Sequence, residues 1–199
     1  MKKYEEKNFE IPELSGISEK TIEEHLKLYS GYVKHTNLIL EKIQELGQGG
    51  EENSYLIGEL RRRLGFEFDG MRNHEYYFSQ FEGSAQDPDE KSAFVELIKE
   101  EFGGFEKWME EFRQLATTRG IGWAMLMYDV QNNRAVNVWV DEQQMGHLLG
   151  LQPLLALDMW EHSFMLDYSP SDKKKYIDAF FQNLNWGVIE ARMDEIRQG

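Results

Sequence analysis

The chain has 199 residues, enough for one large domain or two small ones with substantial cores, and no cysteine, so disulfides, thiolate metal sites and a catalytic thiol are excluded. A formal net charge of −14 disfavours nucleic-acid phosphates and anionic membranes as partners. The opening MKKYEEKNFEIPEL holds no apolar run of signal-peptide length and no stretch is apolar enough to span a bilayer, so a soluble cytoplasmic protein is expected.

From Ser18 to about Leu46, Ile22, Leu26, Tyr29, Val33, Leu40 and Ile43 recur at helical steps, with Ser18 as N-cap and Gly47 as stop. A second helical stretch runs from about Glu52 to Leu64, is expected to break at GFEFDG, and resumes through MRNHEYYFSQF; the two read as an antiparallel helical pair. The triple Arg61, Arg62, Arg63 reads as a solvated helix face. The polar stretch GSAQDPDEKS, residues 83 to 92, has linker composition and divides the chain into an N-terminal helical domain, 1–84, and a C-terminal domain, 85–199. Helices follow at about 91–101 and 104–117. WAMLMYDV and AVNVWV then flank QNNR as two strands and a tight turn, and LLALDMW is available as a third strand of a small antiparallel sheet. From about Lys173 to Arg197 the spacing is helical again, so the fold class is α+β.

Any metal must sit on nitrogen and oxygen, and of the five histidines His25 and His74 lie in separate N-terminal helices while His162 follows Asp158 by four residues. Three imidazoles and a carboxylate suit a first-row metal, although the spacing alone is weak evidence. His35 and His147 read as ordinary exposed or satisfied residues. Two helical metal motifs nearly match and fail. HEYYF has Phe78 where a zincin needs its second histidine. The position three before each of His25, His74 and His162 is Ile22, Met71 or Met159, never the glutamate of a di-iron site.

The segment DMWEHSFMLDY, residues 158 to 168, resembles the iron/manganese superoxide dismutase family, whose signature is Asp-x-Trp-Glu-His followed by aromatic and aliphatic residues. FGGFEKWMEEF, GIGWAMLMYD, NLNW, RNHEYYF and HLKLYSGYVKHTN also look like family segments. The resemblance implies an N-terminal helical hairpin supplying His25 and His74, and a C-terminal domain with a three-stranded antiparallel sheet supplying Asp158 and His162. Between them would sit one manganese or iron ion. The implied activity is conversion of superoxide to dioxygen and hydrogen peroxide, at a metal that changes oxidation state, which zinc cannot do. A catalytically inactive structural or metal-binding protein of the same fold is the alternative.

By the same resemblance, Tyr32 matches the gateway tyrosine, and Trp123, Trp160 and Trp186 match aromatic positions at or near the site. Gln143, fifteen residues before Asp158, matches the glutamine that manganese-type members supply from the C-terminal domain, with Gln144 one residue away. Gly70 fills the helical position from which iron-type members supply it, so manganese is preferred. Glu161 matches a glutamate that reaches the partner's metal-ligating histidine, here His162, which implies a homodimer. Lys173 to Lys175 occupy the approximate place of a cation guiding superoxide. Two departures stand out. His25 to Tyr32 spans seven residues, one fewer than usual, which is expected to remove a helix bulge. Tyr29 and Met165 stand where a bridging histidine and tyrosine are usual.

Overall fold

The computed structural model describes residues 2–198. Helix α1, Glu19–Leu46, starts at Ser18, whose hydroxyl accepts the Thr21 N–H at 3.2 Å, and turns Thr21, Ile22, His25, Tyr29, Val33, Thr36 and Ile39 inward. It is α-helical throughout, with no bulge between His25 and Tyr32. Seven residues are nearly two turns at 3.6 per turn, so both side chains lie on one side of the helix.

Helix α2, Ser54–Ser79, returns alongside α1 and is continuous, against the expected break at GFEFDG. A helical glycine costs only about 1 kcal/mol relative to alanine and keeps its N–H, so packing on α1 overrides it. At Gly70 the missing side chain is used. A Cβ there would stand 2.6 Å from Cδ1 of Tyr32, so the tyrosine ring lies directly on the α2 backbone. Beyond α2, the Gln80 side chain donates to Ala156 O at 2.6 Å and accepts from Ala156 N at 3.1 Å. That amide satisfies a sheet edge which would otherwise be buried unpaired.

Helices α3, Ala93–Phe102, and α4, Phe105–Ala116, lead into strands β1, Gly122–Asp129, β2, Arg134–Asp141, and β3, Gln152–Asp158. The sheet is antiparallel in the order β2-β1-β3. Central β1 is buried along nearly its whole length, and its register sets Trp123 opposite Asp158. Helices α3 and α4 pack on β1 and β2, and α2 packs on β3, which carries the first helical pair to the end of the sheet.

The last segment, read as helical from about Lys173 to Arg197, is divided into two helices: α5, Lys173–Gln182, and α6, Trp186–Gln198. The break comes from asparagine amides that bind backbone elsewhere. Asn183 donates to Ser15 O at 2.8 Å, and Asn185 donates to Glu82 O at 2.9 Å. Asparagine competes with helix continuation in this way. Helical pair first, three-stranded antiparallel sheet with helices second, the fold is α+β as expected. Among the described residues no helix is long and apolar enough to cross a membrane.

Candidate metal centre

His25 arises from the buried stripe of α1 and His74 from that of α2. Asp158 ends β3, and His162 sits in the single 3₁₀ turn Glu161–Ser163 that follows. The chain is held there by the Asp158 carbonyl, which accepts from Tyr176 Oη at 2.9 Å and Ser163 Oγ at 3.0 Å. Four side chains from four elements thereby converge, with one ligating atom of each within 4.8 Å of all the others. Asp158 Oδ2 lies 3.0 Å from His25 Nε2, 3.1 Å from His162 Nε2 and 3.7 Å from His74 Nε2, while Oδ1 accepts the Trp160 N–H at 2.8 Å.

His25, His74 and Asp158 are completely buried, and only His162, 22% exposed, faces outward. Burial first, then the neighbouring His25, pushes the His74 pKa down to about 3, so the ring is neutral at ordinary pH. Its Nδ1–H donates to Gly70 O at 2.6 Å, which leaves the Nε2 lone pair inward, buried and without a hydrogen-bond partner. Burial also lowers His25, outweighing the pull of Asp158. For Asp158, burial alone would raise the carboxyl, but His162 and His25 outweigh it and hold the group well below the usual carboxylate range. A neutral His74 beside an ionised Asp158, with His74 Nε2 and His25 Nδ1 both buried and unpartnered, forms a cavity suited to a cation. Nitrogen and oxygen donors without thiolate fit manganese or iron.

Beside this quartet, the Gln143 side chain is clamped between two rings. Its Oε1 accepts from Trp123 Nε1 at 2.9 Å, and its Nε2 donates to Tyr32 Oη at 2.9 Å. Burial and then the charge of Asp158 push the Tyr32 phenol far up, so it keeps its proton. The Tyr32 ring lies 5.0 Å from the His74 ring, and Trp160 stacks on His162 at 5.7 Å. Gln144 makes no such contact, and its buried Oε1 is without a partner. Trp186 is remote from the quartet in its contacts, stacking with Phe181, meeting Phe105 and Trp108 edge to face and lying tilted against Phe94.

Sequence reasoning missed two groups. Asn73 donates to Gln143 O at 2.8 Å and steadies the relay from α2. Phe66 stands between Tyr32 and Trp160, at 6.0 Å and 6.4 Å. Neither carried a sequence signal: the Asn73 contact spans 70 residues and forms only when α2 docks, and Phe66 fell in the supposed break. Lys173 and Lys175 are engaged elsewhere, Lys173 with Thr118 O at 3.4 Å and Lys175 with Asp172 at 2.8 Å. His35 is 54% exposed, and His147 Nε2 lies 3.2 Å from Gln143 O. Tyr29 is buried, its hydroxyl accepting from Lys7 N at 2.9 Å and donating to Glu75 at 3.3 Å, whereas Met165 is 47% exposed.

The family description "iron/manganese superoxide dismutases, C-terminal domain" matches residues 90–192. Superoxide dismutase [Mn] 2 of Haloferax volcanii is 36% identical over 180 residues, covering 90% of this chain and 88% of the relative. Superoxide dismutase [Fe] of Cupriavidus metallidurans is 37% identical over 182 residues, 89% of this chain and 88% of the relative. Superoxide dismutase [Fe] of Aquifex aeolicus is 34% identical over 188 residues, 92% and 86% respectively.

Proposed function

The chain belongs to the iron/manganese superoxide dismutase family and converts superoxide to dioxygen and hydrogen peroxide, and from that premise we propose that His25, His74, Asp158 and His162 hold one ion per chain, manganese by preference. The observation that carries the site is the convergence of the four ligating atoms within 4.8 Å around a buried, unpartnered His74 Nε2. A bound manganese or iron ion supplies the one-electron redox chemistry that takes an electron from one superoxide and returns it to another. The alternative of an inactive protein of this fold gains nothing from relatives that carry the dismutase name.

Peroxide formation consumes two protons for each pair of superoxide ions, and the chain's own groups control them. Tyr32 holds its proton at Oη and receives a hydrogen bond from Gln143 Nε2, which leaves the phenolic hydrogen directed at another acceptor. Trp123 fixes the far end of the same amide, so its position costs no rearrangement during turnover.

Manganese preference is supported by the source of that amide. Gln143 provides it from the C-terminal half, and the Tyr32 ring over Gly70 denies space to any side chain at the helical alternative. An amide near the metal tunes its potential, so placement decides which ion cycles in both directions. The homodimer is supported by the surface beside His162. Glu161 is exposed there, and Met165 and Leu166, three and four residues after His162, are apolar side chains 47% and 52% exposed. A second copy would cover them, placing Glu161 against the partner's ligand histidine.

The test is to load wild type and Gln143→Ala with each metal and measure occupancy and turnover. Wild type should take up either ion and be the faster enzyme with manganese, whereas Gln143→Ala should keep the metal and lose about tenfold or more in turnover. Faster turnover with iron would refute the preference. Full activity in Gln143→Ala would refute the relay.

A further inference from the structure

We propose that Arg63 is the positioning residue that draws superoxide to the site and steadies it beside Phe66, Tyr32 and Trp160; this rests on the dismutase reading above. Superoxide is an anion and the chain carries a formal net charge of −14, so its approach needs a local cation. The lysines at 173 and 175 contact Thr118 and Asp172 rather than the rings beside the quartet.

Arg63 lies one turn before Phe66 on α2, and its guanidinium carbon stands 3.7 Å above the Phe66 ring centre. Phe66 in turn spans Tyr32 and Trp160, the partly exposed rings that cover His74 and His162. The cation is therefore placed over the ring cluster between solvent and the buried ligands. It is also held still. Glu67 Oε1 accepts from Arg63 Nε at 2.9 Å and pairs with Nη2 at 2.8 Å.

That pairing does not cancel the attraction where it matters. The Glu67 side chain is 8% exposed while that of Arg63 is 50% exposed, so an arriving anion meets the guanidinium before the carboxylate. Glu67 is also approached by His35 Nδ1 at 3.8 Å. Glu67 uses two of the five guanidinium donors, and the fork geometry suits a small oxyanion better than a mobile ammonium would. Stacking on Phe66 and pairing with Glu67 remove the rotamer freedom that usually dilutes a surface charge.

The experiment uses the full-length, manganese-loaded protein with Arg63→Gln, Arg63→Glu and Arg63→Lys. At about 10 mM ionic strength, kcat/KM should fall about threefold in Gln and on the order of tenfold in Glu, fall by less than in Gln for Lys, which keeps the charge but loses the fork, and converge at about 150 mM. Metal content should not change. A second readout needs no turnover: in a Trp139→Phe background, iodide quenching of Trp160 fluorescence should weaken in Arg63→Glu, while quenching by neutral acrylamide stays the same. Wild-type kcat/KM in Arg63→Glu at low salt with unchanged iodide quenching would overturn the proposal. So would a salt-dependent loss that appears instead when Lys173, Lys174 and Lys175 are all replaced by glutamine. If metal-loaded wild type failed to dismutate superoxide, the dismutase reading itself would fail, and the iodide slopes would still report whether Arg63 attracts anions.

Discussion

His74 illustrates how burial prepares a ligand. Its Nδ1–H is fixed on Gly70 O at 2.6 Å, so the inward nitrogen keeps its lone pair, and burial holds the ring's pKa down to about 3. The consequence for the metal-free chain has a definite sign. An unfolded histidine takes up its proton near 6.5, whereas folded His74 does so only near 3, so between these values the unfolded state binds more protons. The stabilisation is fully present above pH 6.5 and is lost as pH falls toward 3; His25 and Asp158, both lowered, act in the same sense. Urea unfolding of metal-free protein at about pH 7, 5.5 and 4 should show a progressive loss on the order of a few kcal/mol, shallower in His74→Gln. A stability that stays flat or rises on acidification would contradict this. Of these residues, the four candidate ligands were legible through the Asp-x-Trp-Glu-His resemblance rather than through spacing. Asn73, Phe66 and Arg63 were not, because each works through a contact that exists only once α2 is continuous and docked.

At the level of elements, α1 is both a ligand carrier and an interface. Its N-terminus is tied to the segment after His162, because Asp167 Oδ2 accepts from Ser18 N at 2.9 Å and from Thr21 Oγ1 at 2.6 Å. Thr21 is completely buried one turn before His25, so this carboxylate locks the two ligand-bearing pieces together. Asp167→Ala should cost about 1–2 kcal/mol in urea unfolding and loosen metal retention, with Asp167→Asn intermediate. Unchanged stability in Asp167→Ala would show that the clasp is ornamental. The same elements explain what the sequence could reveal. Periodicity and caps marked α1, α3, α4 and the three strands because in each the local signal and the burial agree. It failed where distant contacts decide: Gly65 and Gly70 look like breakers yet lie inside α2, and Asn183 and Asn185 end α5 by binding Ser15 and Glu82.

For the whole molecule, the two halves meet at the quartet, α1 and α2 bringing His25 and His74 to the end of β3 and its following turn. The site's remaining exposure is at His162, in the same segment as exposed Glu161 and the exposed apolar Met165 and Leu166. Sedimentation at micromolar concentration should therefore give a dimer, and Glu161→Ala should weaken it; a wild type that remains monomeric would remove Glu161 from any role across an interface. The central claim is that one ion binds where the four side chains converge. It is tested most directly by the manganese content of His74→Ala beside wild type, after equal loading and with folding checked by circular dichroism. Wild type should hold about one ion per chain and the variant less than about a tenth of that, because one of the four donors is gone. Full occupancy in a folded His74→Ala would contradict the assignment.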